Sequence, residues 1–143
     1  MSHVKIWVHA VWGTKSHFPY LTKEIKEKII SHIRENANNK GIYVNKINGH
    51  RDHLHALIGL NADKSIAQTM QLIKGECAFW INKNKITSEK FEWADEYFAA
   101  SVSESDLDRV VFYINNQEEH HKKSTFMEEY EKFMKDYNKA DQG

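Results

Sequence analysis

The 143-residue chain has one cysteine, one proline and no excess charge of either sign. Cys77 alone cannot close a disulfide within the chain, which excludes a small stapled scaffold and fits a reducing, cytoplasmic setting. No apolar run approaches the length of a membrane span and no secretory segment opens the chain, so no membrane partner is expected. Twenty Lys and Arg stand against twenty Asp and Glu, which excludes attraction to nucleic acid through overall positive charge. Repeats, low-complexity tracts and linkers are missing as well, so residues 1–143 read as a single domain. What the chain does have is 41% hydrophobic and 12% aromatic residues, enough for a core, and nine histidines.

The neutral total conceals two blocks. Residues 1–90 carry 14 Lys and Arg against 7 Asp and Glu, whereas residues 91–143 carry 6 against 13. One reading is a basic working surface followed by an acidic helical tail. The plainer one is that the two blocks attract each other, within a subunit or across a dimer.

Val4, Ile6, Val8, Ala10 and Trp12 alternate with His3, Lys5, Trp7, His9 and Val11, the period of a strand with one buried face. Gly13 to Pro19 reads as a loop. Thr22 is placed to cap a helix whose apolar positions are Ile25, Ile29, Ile33 and Ala37, stopped by Asn38, Asn39 and Gly41. Ile42–Ile47 and His53–Leu60 read as strands, with Asn48-Gly49 as the hairpin signal between them. Ser65 caps a second helix with a stripe of Ile66, Met70, Ile73, Cys77, Trp80 and Ile81. Tyr97–Val102 is the expected fourth strand. Ser103 to Asp106 offers caps for a helix to about His121, with Leu107, Val110, Val111 and Ile114 inward. A last amphipathic helix is expected over Thr125–Tyr137.

The order βαββαβ over residues 1–102 predicts an α+β fold: a ferredoxin-like, split-βαβ antiparallel sheet with helices on one face. Residues 103–143 then supply two C-terminal helices, and the second sheet face is left for a ligand or partner.

His53 and His55 are two apart, so on a strand both imidazoles point to one face, while Leu54, Ala56, Ile58 and Leu60 anchor the other. Two imidazoles side by side are half of a divalent metal site, although a single strand histidine usually has no such job. A closed structural zinc site needs four protein ligands, and Cys77 lies on a core stripe, so an open site acting on a phosphate or water fits better. Tyr113 and Gln117 are four apart and share a helix face, with Arg109 and His120 within roughly 40° of Tyr113 on the helical wheel. Gln117 offers an amide oxygen as a third, hard ligand to a Mg²⁺- or Mn²⁺-like ion. Tyr113 offers a phenolic oxygen able to attack a phosphodiester. By itself, a tyrosine beside a helix core is far more often packing than nucleophile.

Together these residues resemble the single-tyrosine HUH transposases of the smallest bacterial insertion sequences. The resemblance rests on the His–hydrophobic–His motif His53-Leu54-His55 and on Tyr113-Ile114-Asn115-Asn116-Gln117. His9-Ala10-Val11-Trp12-Gly13-Thr14-Lys15, Trp93, the 97–103 stretch and Gln117-Glu118-Glu119-His120-His121 are similar as well. It implies a homodimer acting on single-stranded DNA with hairpin ends, with His53, His55 and Gln117 holding Mg²⁺ or Mn²⁺. It further implies Tyr113 as the nucleophile of a 5′-phosphotyrosine intermediate, and exchange of the tyrosine helix between subunits. Because the chain is not basic overall, phosphate contacts must be local; the candidates are Lys15, Lys46, Arg51, Lys74, Lys83 and Lys85. Domesticated relatives that process chromosomal repeats share the motifs. Two other readings remain open at this stage. One is a catalytically silent single-stranded nucleic-acid-binding module using the open sheet face and Trp7. The other is a dimeric structural or regulatory protein with merely satisfied histidines.

Overall fold

In a computed structural model, the structure describes residues 3–117 together with Glu128 and Lys132. Strands β1 (Trp7–Thr14), β2 (Tyr43–Gly49), β3 (His53–Gly59) and β4 (Trp93–Val102) are joined through helices α1 (Lys23–Asn39) and α2 (Ile66–Lys83), and α3 (Leu107–Asn115) follows β4. The sheet order is β2-β3-β1-β4 with every neighbouring pair antiparallel. This is the expected split-βαβ arrangement. The expected helix over Thr125–Tyr137, and the stretch to His121, lie outside the described residues.

The caps are where the sequence puts them. Thr22 Oγ1 accepts from Ile25 N at 3.4 Å, and Ser65 and Gln68 form a reciprocal capping box at 3.0 and 2.9 Å. Gly41 follows α1 with φ +71°, the left-handed conformation that ends a helix cheaply only with glycine. Ala10, Trp12, Leu54, Ala56 and Ile58 face α1 and α2, where Ile29, Ile33, Met70, Ile73, Cys77 and Ile81 complete the main core. Across the sheet, Leu57 and Val102 meet Val110 and Ile114 of α3 in a smaller cluster. The second sheet face is therefore partly covered by α3.

Three boundaries differ from expectation, each because pairing overrides local composition. The Asn48-Gly49 pair does not form the turn: it continues β2, opposite His55 and Leu54, and the chain turns at residues 50–52. Gly49 is needed there for close approach, since a Cβ would fall on the His53 carbonyl and 2.8 Å from Leu54 Cα. β1 starts at Trp7, opposite the last residue of β3; Ile6 O still accepts from Leu60 N at 2.7 Å, but Val4 and Ile6 lie beyond the sheet with their side chains exposed. β4 starts at Trp93 rather than Tyr97, because Trp93 pairs with Thr14 beyond an irregularity in β1. Its exposed Asp95 and Glu96 are charges of the kind that keep an edge strand from pairing further.

Candidate active site

The register assembles the site. Val11 pairs with His55 and Gly13 with His53, while Asn48 pairs with His55 from the other side. Alternation then puts His9, His53, His55 and Asn48 on the sheet face that α3 covers. His9 and His53 are 0% exposed, His55 1% and Gln117 0%, so four polar side chains are buried together. Burial of this kind is costly unless the groups satisfy one another.

Each imidazole has a partner on its ring. His53 Nδ1 lies 2.9 Å from Asp52 Oδ1, and His53 Nε2 lies 3.3 Å from Gln117 Oε1. His55 Nδ1 lies 3.0 Å from His9 Nε2. Gln117 Nε2 donates to Tyr113 O at 3.2 Å, which fixes the amide with its oxygen toward His53. The Asp52 carboxylate accepts from His53 Nδ1–H. The opposite edge of that ring therefore meets an acceptor: either Nε2 donates a proton to the amide oxygen, or a cation stands in that proton's place. Two ligands about 2.1 Å from one ion and at right angles lie about 3 Å apart, so the observed spacing suits a shared cation. Among the described residues no group of three or more His, Cys, Asp or Glu is arranged to hold a metal. The donor set here is two imidazoles and an amide, a mixed set that suits an open rather than a closed site.

Tyr113 is half-buried on α3, its ring 5.5 Å from that of His55 and 6.3 Å from that of His9, edge-on to both. The rings of His53 and His55 are 5.0 Å apart. Within one chain, the structure thus brings together His53, His55, Tyr113 and Gln117. Arg109, expected near Tyr113, instead extends to Asp106 at 3.6 Å and is exposed; His120 lies outside the described residues.

The six basic candidates are not brought together. Lys46, opposite Leu57, is on the α3 side of the sheet, and Arg51 is exposed in the β2–β3 turn beside Asp52. Lys83 ends α2 with its Nζ 5.8 Å over the Phe79 ring, and Lys85 follows it; both belong to the opposite layer. Lys15 pairs with Glu92 at 2.9 Å, a hydrogen-bonded ion pair that raises the lysine and lowers the carboxyl from their ordinary pKa values. Lys74 donates to the Ala94 and Asp95 carbonyls at 2.8 and 3.2 Å. Burial lowers its pKa, partly offset by Asp95.

Three site residues were not singled out from sequence: His9, Asp52 and Asn48. His9 shares the Trp7–Val11 side of β1, but only the pairing with β3 puts that side over the histidine pair. Asp52 directly precedes the motif. Asn48 Nδ2 donates to Ile114 O at 3.0 Å and Asn115 O at 3.4 Å, tying the end of α3 to β2. Beside Asp52, Ser16 and His17 adopt φ +57° and +58°, left-handed values rare without glycine, and His17 Nδ1 comes within 3.9 Å of Asp52 Oδ2.

Comparison with known proteins agrees with this architecture. A transposase from Deinococcus radiodurans, described as such from its crystal structure, superposes with a TM-score of 0.66 at 22% identity, covering 81% of this chain and 93% of that one. A REP-associated tyrosine transposase bound to a REP hairpin superposes with a TM-score of 0.64 at 13% identity, covering 85% and 72%. No curated protein matches the chain. No helix among the described residues is long and apolar enough to cross a membrane. The family described as "Transposase IS200 like" matches residues 2–117, a span that includes His53, His55, Tyr113 and Gln117, and the chain belongs to that family.

Proposed function

We propose that this transposase cuts and rejoins single-stranded DNA through Tyr113, with His53, His55 and Gln117 holding Mg²⁺ or Mn²⁺. The observation that carries the reading is the meeting of His53 Nε2 and Gln117 Oε1 at 3.3 Å, with the Asp52 carboxylate on the other ring nitrogen. The chemistry a bound divalent cation supplies there is polarisation of the scissile phosphate. Tyr113 Oη attacks phosphorus, the bond from phosphorus to the 3′ oxygen breaks, and the leaving oxygen takes a proton to become a free 3′-hydroxyl. The 5′-phosphotyrosine keeps the energy of the broken diester, so attack by another strand's 3′-hydroxyl reverses the step without a further energy source.

The hairpin in the REP-associated relative supports single-stranded DNA with hairpin ends as the substrate class here. The same reading includes a homodimer in which α3 is exchangeable between copies, working in the cytoplasm as one catalytic domain over residues 1–143. Among the described residues α3 is held by an apolar cluster, the Asn48 and Gln117 hydrogen bonds and the Tyr113 ring contacts, all of them noncovalent links that a second copy could equally supply.

Incubation with hairpin-bearing single-stranded DNA and Mn²⁺ should give a covalent protein–DNA adduct on denaturing gels. Tyr113→Phe should remove the adduct by at least a hundredfold while leaving DNA retention intact. Undiminished adduct from Tyr113→Phe would overturn the nucleophile. Tight DNA binding by the wild-type chain with no cleavage in any divalent metal would favour a silent binding module.

A further inference from the structure

We infer that His9 is a positioning residue that sets the tautomer of His55, so that His55 presents a lone pair on Nε2 to the metal. The inference rests on the proposed metal site and extends it one shell outward. His9 Nε2 and His55 Nδ1 are 3.0 Å apart, with both rings essentially removed from solvent. One proton lies between those two nitrogens. If it belongs to His9, the neutral His55 ring carries its own proton on Nε2 and has no lone pair there to ligate with. If it belongs to His55 Nδ1, then Nε2 is open for coordination and His9 Nε2 is the acceptor.

His53 shows the same construction with a different partner. The Asp52 carboxylate accepts from its Nδ1–H and turns Nε2 toward Gln117. A carboxylate can only accept, so it fixes the tautomer of His53 outright. A neutral imidazole does the same for His55 only while His9 keeps its own proton on Nδ1. Both ligand rings are thus held by their Nδ1 atoms, His53 by the residue before it and His55 from β1, the arrangement that orients imidazole ligands and raises their basicity at metal centres. The placement of His9 follows from strand register: it is two residues from Val11, which pairs with His55, so the two histidines lie diagonally on one sheet face. Its ring is also edge-on to Tyr113 at 6.3 Å, so one side chain buttresses a metal ligand and the nucleophile.

The test is Mn²⁺ titration of the full-length protein by electron paramagnetic resonance, comparing wild type with His9→Leu and His9→Gln. Leucine keeps bulk and removes the acceptor; glutamine puts an amide oxygen near the position of Nε2. His9→Leu should bind Mn²⁺ about 10- to 100-fold more weakly, and His9→Gln should recover most of that loss. Adduct formation by His9→Leu should return at high Mn²⁺ with little change in DNA affinity, which loss of packing alone would not produce. Long-range ¹H–¹⁵N correlation spectra of the metal-free wild type should show His55 protonated on Nδ1; finding the proton on Nε2 overturns the inference. So does equal weakening by Leu and Gln, or unchanged Mn²⁺ affinity in His9→Leu. Should His9→Leu not fold, the spectra of the wild type and the His9→Gln titration decide alone. A wild-type chain that binds no Mn²⁺ overturns the metal site itself, a result distinct from normal wild-type binding with an indifferent His9→Leu.

Discussion

At the scale of single residues, side chains in a repeating local pattern were legible, and those that depend on a partner strand were not. The two-residue spacing of His53 and His55 and the four-residue spacing of Tyr113 and Gln117 obey the periods of a strand and a helix, so one line of sequence shows that each pair shares a face. Nothing local says that His9 meets His55, because that contact is written in the register of β1 on β3. Cys77 lies where its helical spacing places it, on the core stripe of α2. It is 0% exposed, and burial, with the neighbouring Glu76 carboxylate adding to it, pushes the thiol far above its ordinary range. Because the reactive species is the thiolate, native protein at pH 8 should resist a thiol reagent. Cys77 should become reactive only in urea, with a midpoint that coincides with loss of the helical circular dichroism signal. Labelling well before that midpoint would mean that α2 opens away from the sheet locally.

At the scale of elements, the helices were easier to place than the strand ends. Thr22, Ser65 and Gly41 are start and stop signals whose physics is confined to one turn, and each acts as its residue type suggests. The Asn48-Gly49 pair has the chemistry of a tight turn, yet strand pairing uses it otherwise. Gly49 permits close contact with the β3 backbone, and Asn48 points its amide at the end of α3. That second use is the more consequential, since Gln117 begins just where Asn48 holds the helix. Replacing Asn48 by Ala removes the donor to two carbonyls at the helix end and should cost about 1 kcal/mol, most of it local to α3. Amide hydrogen exchange over residues 110–117 should then quicken about fivefold, while α1 and α2 are unchanged. Because the third proposed ligand follows the loosened turn, Mn²⁺ affinity should fall with it. Unaltered exchange in α3 would show that its small apolar cluster holds it without Asn48.

At the scale of the molecule, ion pairs among the described residues link the two charge blocks. Lys5 reaches Glu104 at 3.5 Å, Lys15 reaches Glu92 at 2.9 Å and Lys90 reaches Glu92 at 3.5 Å, each pair joining the basic block to the acidic one. Such exposed pairs add little stability, but they withdraw cations from other work. Lys74 is withdrawn too, its ammonium set on the carbonyls of β4. Of the six candidates for phosphate contact, Lys46, Arg51, Lys83 and Lys85 remain after Lys15 and Lys74 are set aside. Each phosphate neutralised contributes about −0.7 to the slope of log affinity against log salt on single strands, and about −0.9 on duplex. Lys83 and Lys85 lie in the layer opposite the histidines, so a hairpin held at the site meets Lys46 and Arg51 of these, and two contacts predict a slope between about −1.4 and −1.8. A chain binding through its whole basic block would give a far steeper one. Replacing Lys46 and Arg51 together, the two on the histidine side, should flatten the slope by about 1.5 and weaken binding at low salt. Lys15→Ala should leave the slope where it was, because that ammonium is already matched by Glu92. A slope steeper than about −6, or one that Lys15→Ala flattens, would mean that the ion pairs open on binding and that the two blocks separate to admit DNA.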